Sequence, residues 1–129
     1  MRSRPALLGS GISSIISRFS QRALLKRIQR GTIAITGATS NTATVTAVDV
    51  SQSVLRYCGF ASSNNLTGNG GQIYVNLVLT NSTTITATVA VSPAGDTTTV
   101  SYELVEYWPG VIQSVQRGTI TNPTATATI

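Results

Sequence analysis

Two runs of strict alternation constrain the fold of this chain more than any other feature. In Thr42-Ala43-Thr44-Val45-Thr46-Ala47-Val48, threonine and small aliphatic residues take turns. Thr84-Ile85-Thr86-Ala87-Thr88-Val89-Ala90-Val91 does the same until its last step. A period of two gives a strand one buried and one wet face. Threonine suits the wet face because its branched Cβ fits a pleated strand and its hydroxyl meets water.

Further strand signals cover 29–36, 53–60, 72–80, 97–107, 111–120 and 124–129. Turn-forming clusters separate them, among them Ser62-Ser63-Asn64-Asn65, Gly68-Asn69-Gly70-Gly71, Ser92-Pro93-Ala94-Gly95-Asp96 and Trp108-Pro109-Gly110. About eight short strands at near-regular spacing predict an all-β fold, either a β-sandwich of jelly-roll or immunoglobulin-like type or a small barrel. We take the sandwich as the expectation. Its core draws on Val45, Ala47, Ile85, Ala87 and Val89, with larger side chains from Leu55, Tyr57, Phe60, Ile73, Val75, Leu77, Leu79, Tyr102 and Leu104. So many small residues bury little area each. Contact with neighbouring subunits would add several kcal/mol at roughly 25 cal/mol per Å² of apolar surface buried.

Charge divides the chain in two. Charged residues make up only 10% of it, against a globular norm of about 25%. Arg2, Arg4, Arg18, Arg22, Lys26, Arg27 and Arg30 all precede Gly31, with no acid among them. Beyond Gly31, Arg56 and Arg117 face Asp49, Asp96, Glu103 and Glu106, so two positive and four negative charges leave −2. The division predicts a basic N-terminal arm or helix over 1–28 and a β domain over 29–129. Within the arm, Ile12, Ile15, Ile16, Phe19 and Ala23 share one helical face, and Arg18 and Arg22 lie off it. A lone helix this short is marginal in water and becomes ordered against its own domain, a bundle of like arms or another protein. The expected partner-binding residues are therefore Ile12, Ile15, Ile16, Phe19, Arg18, Arg22, Lys26 and Arg27. A basic arm suits an acidic protein, an acidic membrane surface or non-specific contact with phosphate, and a merely solvated tail is the plain alternative.

No run reaches the roughly 18 apolar residues needed to cross a bilayer, so no membrane-spanning helix is expected, and of the contacts open to the arm a membrane is not the one expected. Ala6-Leu7-Leu8-Gly9-Ser10-Gly11-Ile12 follows two arginines, but serine and glycine interrupt it, so it is not read as a secretory leader. Cys58 is the single cysteine, which excludes an intrachain disulfide and suits a small buried side chain.

One internal repeat stands out. Gln29-Arg30-Gly31-Thr32-Ile33 recurs as Gln116-Arg117-Gly118-Thr119-Ile120. Either the two boxes are equivalent strands in two halves of one sandwich, each glycine serving a bulge or a close backbone approach, or they compete for one edge slot and add strands between subunits.

Catalytic chemistry has few candidates. The chain contains no histidine. Glu103 and Glu106, three apart on an expected strand, point to opposite faces and cannot pair. No cluster offers metal ligation, Gly68-Asn69-Gly70-Gly71 has no following lysine, and no serine has an evident base. We expect no enzyme activity, no metal site and no cofactor. Tyr57, Tyr74, Tyr107 and Trp108 leave glycan stacking open, although Trp108-Pro109-Gly110 reads more simply as a turn.

The paired Gln-Arg-Gly-Thr-Ile boxes, Thr46-Ala47-Val48-Asp49, and Val105-Glu106-Tyr107-Trp108-Pro109-Gly110 leading into Ile112-Gln113-Ser114-Val115-Gln116-Arg117-Gly118 together resemble small structural proteins of tailed bacteriophages. The resemblance spans residues 28–120 and leaves the arm outside. It implies a β-rich virion component located in the phage particle: a capsid decoration or cement protein, a head fibre, or a tail, neck or baseplate accessory. The expected partners are copies of itself, with a trimer as the simplest closure, and other virion proteins such as the major capsid protein or a tail or neck protein. A host-attachment, glycan-binding module is the alternative. A surface adhesin or pilin-like subunit joined by strand donation is a third reading.

Overall fold

The computed structural model describes residues 24–63 and 70–118. Within them lie six strands: β1 Leu25–Thr36, β2 Ser40–Thr44, β3 Ser53–Ser62, β4 Val75–Asn81, β5 Thr84–Val89 and β6 Thr97–Tyr107. They form two antiparallel three-stranded sheets, β1-β6-β3 and β2-β5-β4.

β6 is the central strand of the first sheet and β5 of the second, and both carry the cleanest alternation of buried and half-buried residues. Both sheets contribute to one apolar core. Ile33 and Ile35 enter from β1, and Val100, Tyr102 and Leu104 from β6. Ile85, Ala87 and Val89 enter from β5, Leu79 from β4, and Val45 and Val48 from the segment after β2. The all-β expectation holds at this level, and β6 covers the span expected of it. The expected N-terminal helix and the strand at 124–129 lie outside the described residues.

Several expectations require correction. The alternation that predicts a strand to Val48 stops at Thr44. There the chain leaves β5, Val45 N donating to Thr83 O at 2.9 Å and Val48 N to Ser82 O at 2.9 Å. Val45 and Val48 are buried while Ala47 is exposed. The span from Val45 to Gln52 carries the chain from one sheet to the other, ending in a short 3-10 turn, Val50–Gln52. Tyr57 and Phe60 do not enter the core; they are 51% and 44% exposed. They flank a shift in the β3–β6 register at Gly59, whose φ of 115° suits glycine, on a strand at the sheet's edge. Cys58 is exposed for the same reason. Ile73, Val75 and Leu77 are only half-buried. Residues 111–118 contain no strand, only a turn at Gly110–Val111 and an isolated bridge between Pro109 and Ile112.

Candidate functional site

No group of three or more histidine, cysteine, aspartate or glutamate side chains gathers to hold a metal among the described residues. What the fold presents instead is surface, and three features organise it.

The first is the grip on the crossing segment 45–53. From β1, the Gln29 amide donates to Thr46 O at 2.9 Å and accepts from Thr46 N at 2.7 Å. Arg27 Nη1 donates to Ala47 O at 3.1 Å. From the opposite side, Val115 N donates to Ser51 O at 3.2 Å, and the Arg117 guanidinium donates to Val50 O at 3.1 Å and to Ser53 O. The two repeat boxes thus hold opposite ends of one segment, using different residues. Gln29 clamps in the first and Arg117 in the second.

Their glycines differ too. A Cβ on Gly31 would meet Tyr102 Oη at 2.6 Å, so the first glycine makes room for a core ring; around Gly118 nothing lies within 4 Å. In its described residues, 116–118, the second box is not a strand, whereas Gln29, Arg30 and Gly31 of the first lie in β1. Thr32 and Ile33 run on in β1, and Ile33 is buried. Thr119 and Ile120 lie outside the described residues.

Glu106 anchors the same region from beneath. Its side chain is 1% exposed. Its Oε1 accepts from Lys26 Nζ at 2.7 Å and from Asp49 N at 3.0 Å. Lys26 Nζ also lies 5.8 Å from the centre of the Trp108 ring. Burial pushes the Glu106 carboxyl up, but the Asp49 amide, the Lys26 hydrogen bond and the charges of Lys26 and Arg27 together leave it below its ordinary value. Bonds from the Ser51 hydroxyl and amide, with the Lys26 charge behind them, likewise lower Asp49.

The second feature is an opening between the edge strands β3 and β4. A groove of about 600 Å³ runs there between Val54 and Leu55 on one side and Asn76–Leu79 on the other, with Val115–Gly118 along it. A smaller cavity of about 310 Å³ continues it past Tyr57 and Val75. The opposite side of the domain is laced by the Gln29 clamp and by Asn41 Nδ2, which donates to Ala34 O at 2.7 Å.

The third feature is charge placement. No charged residue occurs between Arg56 and Asp96, or between Arg30 and Asp49. The β2-β5-β4 sheet therefore carries none, and its outer face shows Ser40, Thr42 and Thr44 beside Thr88, Thr86 and Thr84. The outer face of the other sheet carries a bar in which Glu103 bridges Arg30 at 2.6 Å and Arg56 at 2.9 Å.

Of the residues expected in the arm, Lys26 and Arg27 lie in β1, which begins four residues ahead of the expected strand, and both are engaged by this domain. Ile12, Ile15, Ile16, Phe19, Arg18 and Arg22 lie outside the described residues. Residue patterns did not announce the clamp on segment 45–53 or the groove, because both depend on which strands become edges.

Compared with protein-family models, curated proteins and solved structures, the chain matches none.

Proposed function

We propose that this chain is a structural subunit of a tailed-bacteriophage particle that associates with copies of itself and docks on other virion proteins through its basic N-terminal arm. A capsid decoration or cement part, or a head-fibre component, fits best. In this reading the two sheets are the layers of a β-sandwich of jelly-roll or immunoglobulin-like type. The observation that carries the assembling role is the charge-free β2-β5-β4 sheet. Its outer face offers threonine hydroxyls and no like-charge repulsion, which suits packing against an identical face. The resemblance of residues 28–120 supports the virion setting.

Quantitative mass spectrometry of purified particles tests it. A copy number near that of the major capsid protein is expected. A handful of copies would move the part to neck, tail or fibre, and absence from the particle would overturn the reading. The exposed rings of Tyr74 and Trp108 favour glycan binding as a second reading. A glycan array that stays silent with the folded chain would remove it.

A further inference from the structure

We propose that two copies of this domain join β4 to β4 as antiparallel neighbours about a two-fold axis at Asn76, so that the β2-β5-β4 sheet continues from one copy into the next. The inference rests on the reading that this charge-free sheet packs against an identical face, and it names a second contact of the same assembly.

β4 is the edge left open to a partner. Edge strands present unpaired backbone donors and acceptors, and they are blunted by charge, bulges or a covering segment. Among the described residues the other edges are blunted. β1 carries Lys26, Arg27 and Arg30. β3 carries Arg56 and is broken by the register shift between Tyr57 and Phe60. β2 lies beside β1, where Asn41 Nδ2 donates to Ala34 O at 2.7 Å. β4 has no charge and no proline, and its register shift comes at its far end, between Leu79 and Asn81.

The ladder fixes which backbone groups of β4 are free. Val89 N donates to Thr39 O at 2.8 Å, beside the Ser40–Thr88 pair. In an antiparallel ladder that bond turns the N–H and C=O of Thr88 the other way, towards its partner Asn76. Asn76 and Val78 therefore direct their backbone groups to β5, and Val75 and Leu77 direct theirs to the open edge. Leu79, next in that series, is buried, which leaves Val75 and Leu77 as the accessible pair.

A two-fold at Asn76 matches this edge to itself. Val75 of one copy faces Leu77 of the other, and each such pair exchanges both of its N–H···O bonds. Asn76 meets Asn76, where each side-chain amide can donate and accept. Tyr74 and Val78 lie on the same outward side as Asn76 and are 74% and 42% exposed. This register alone sets the exposed ring opposite the exposed valine. On the inner side, the cavity of about 310 Å³ bordered by Leu55, Tyr57 and Leu77 leaves room for the second copy's Val75 and Leu77. The strip from Tyr74 to Val78 has no charge, so identical copies approach without repulsion. One pairing of short strands covers less than the roughly 1,000 Å² of a stable interface, so it forms within an assembly held by the sheet face and not by itself.

Disulfide trapping in a Cys58→Ser background tests the register. In a non-hydrogen-bonded pair the Cα atoms stand about 4.5 Å apart, within disulfide range. Asn76→Cys meets its own copy there. Val78→Cys stands about 13 Å from its own, four residues along at roughly 3.3 Å each. Both positions are exposed, so random collision treats them alike. At a concentration where light scattering finds the parent chain associated, a mild copper oxidant should cross-link Asn76→Cys at least about tenfold faster than Val78→Cys. Equal rates, or faster linking through Val78→Cys, would overturn the two-fold at Asn76. An associated chain that links through neither position would overturn edge pairing and leave the face contact standing. A chain that is monomeric at every concentration would overturn both.

Discussion

The side chain of Gln29 is bonded to the backbone of Thr46 as a strand residue would be, its amide donating to Thr46 O at 2.9 Å and accepting from Thr46 N at 2.7 Å. One side chain thereby ties the edge of β1 to the segment that crosses between sheets. Gln29→Ala removes both bonds at a partly exposed site. A loss of about 1–2 kcal/mol in urea unfolding is expected. Gln116→Ala, at the matching place in the second box, should stay within about 0.5 kcal/mol of the parent. Equal losses would mean that the two boxes do the same work after all.

The buried Glu106 carboxylate makes stability depend on pH with a definite sign. Its pKa in the fold lies below its ordinary value, so in the window between the two the unfolded chain binds more protons than the folded one. The stabilisation is present above the unfolded pKa of about 4.3 and is lost as pH falls through the folded pKa. Asp49 acts with the same sign. Glu106→Gln should lower stability at pH 7 by about 1–3 kcal/mol, since the charge-assisted bonds to Lys26 and Asp49 weaken. Thermal melts from pH 7 to pH 3 should show the gap between variant and parent narrowing in acid. A gap that stays constant would show that Glu106 acts by packing alone.

The sequence announced β6 across its whole length because every second residue there meets the core. For Gly31 it offered a bulge or a close backbone approach; what lies against that glycine is the side-chain ring of Tyr102. It misplaced Ala47 because the strand ends at Thr44, and it misplaced Tyr57 for a second physical reason. Alternation tells which way a side chain points relative to its own sheet, but not whether a second layer lies opposite. Tyr57 pairs with the buried Tyr102, yet it faces the open side, where β3 and β4 stand apart. The role of Arg117 was hidden similarly. The sequence reads it as part of an expected strand over 111–120, and its actual role shows only when the chain that accepts its hydrogen bonds, Val50 to Ser53, is brought beside it.

Gly31 carries a steric requirement that Gly118 does not. With a Cβ at Gly31 only 2.6 Å from Tyr102 Oη and 2.9 Å from Cζ, Gly31→Ala forces the ring or β1 to shift. Overpacking of this kind costs about 1–3 kcal/mol. Gly118→Ala meets nothing and should be tolerated. Adding Tyr102→Phe to Gly31→Ala deletes the nearest clashing atom and leaves the next, so part of the lost stability should return. Unfolding curves of the single and double variants measure the coupling directly.

The charge-free sheet makes the last prediction. Thr88 is exposed at the centre strand of β2-β5-β4, beside Ser40 on one side and Asn76 on the other. Thr88→Lys places a charge on a face that has none, at a position where the side chain reaches water. The fold should lose no more than about 0.5 kcal/mol. If identical faces pack together, however, each lysine is brought towards its symmetry mate and must be desolvated or repelled, which costs association far more than folding. Light scattering after gel filtration should therefore find the parent chain associated and Thr88→Lys monomeric at the same concentration. The same substitution at Thr32, on the outer face of the other sheet where the Arg30–Glu103–Arg56 bar already lies, should leave association intact. If Thr88→Lys assembles as the parent does, self-association through this face is wrong. If Thr32→Lys alone dissociates the particles, the contact belongs to the β1-β6-β3 face instead.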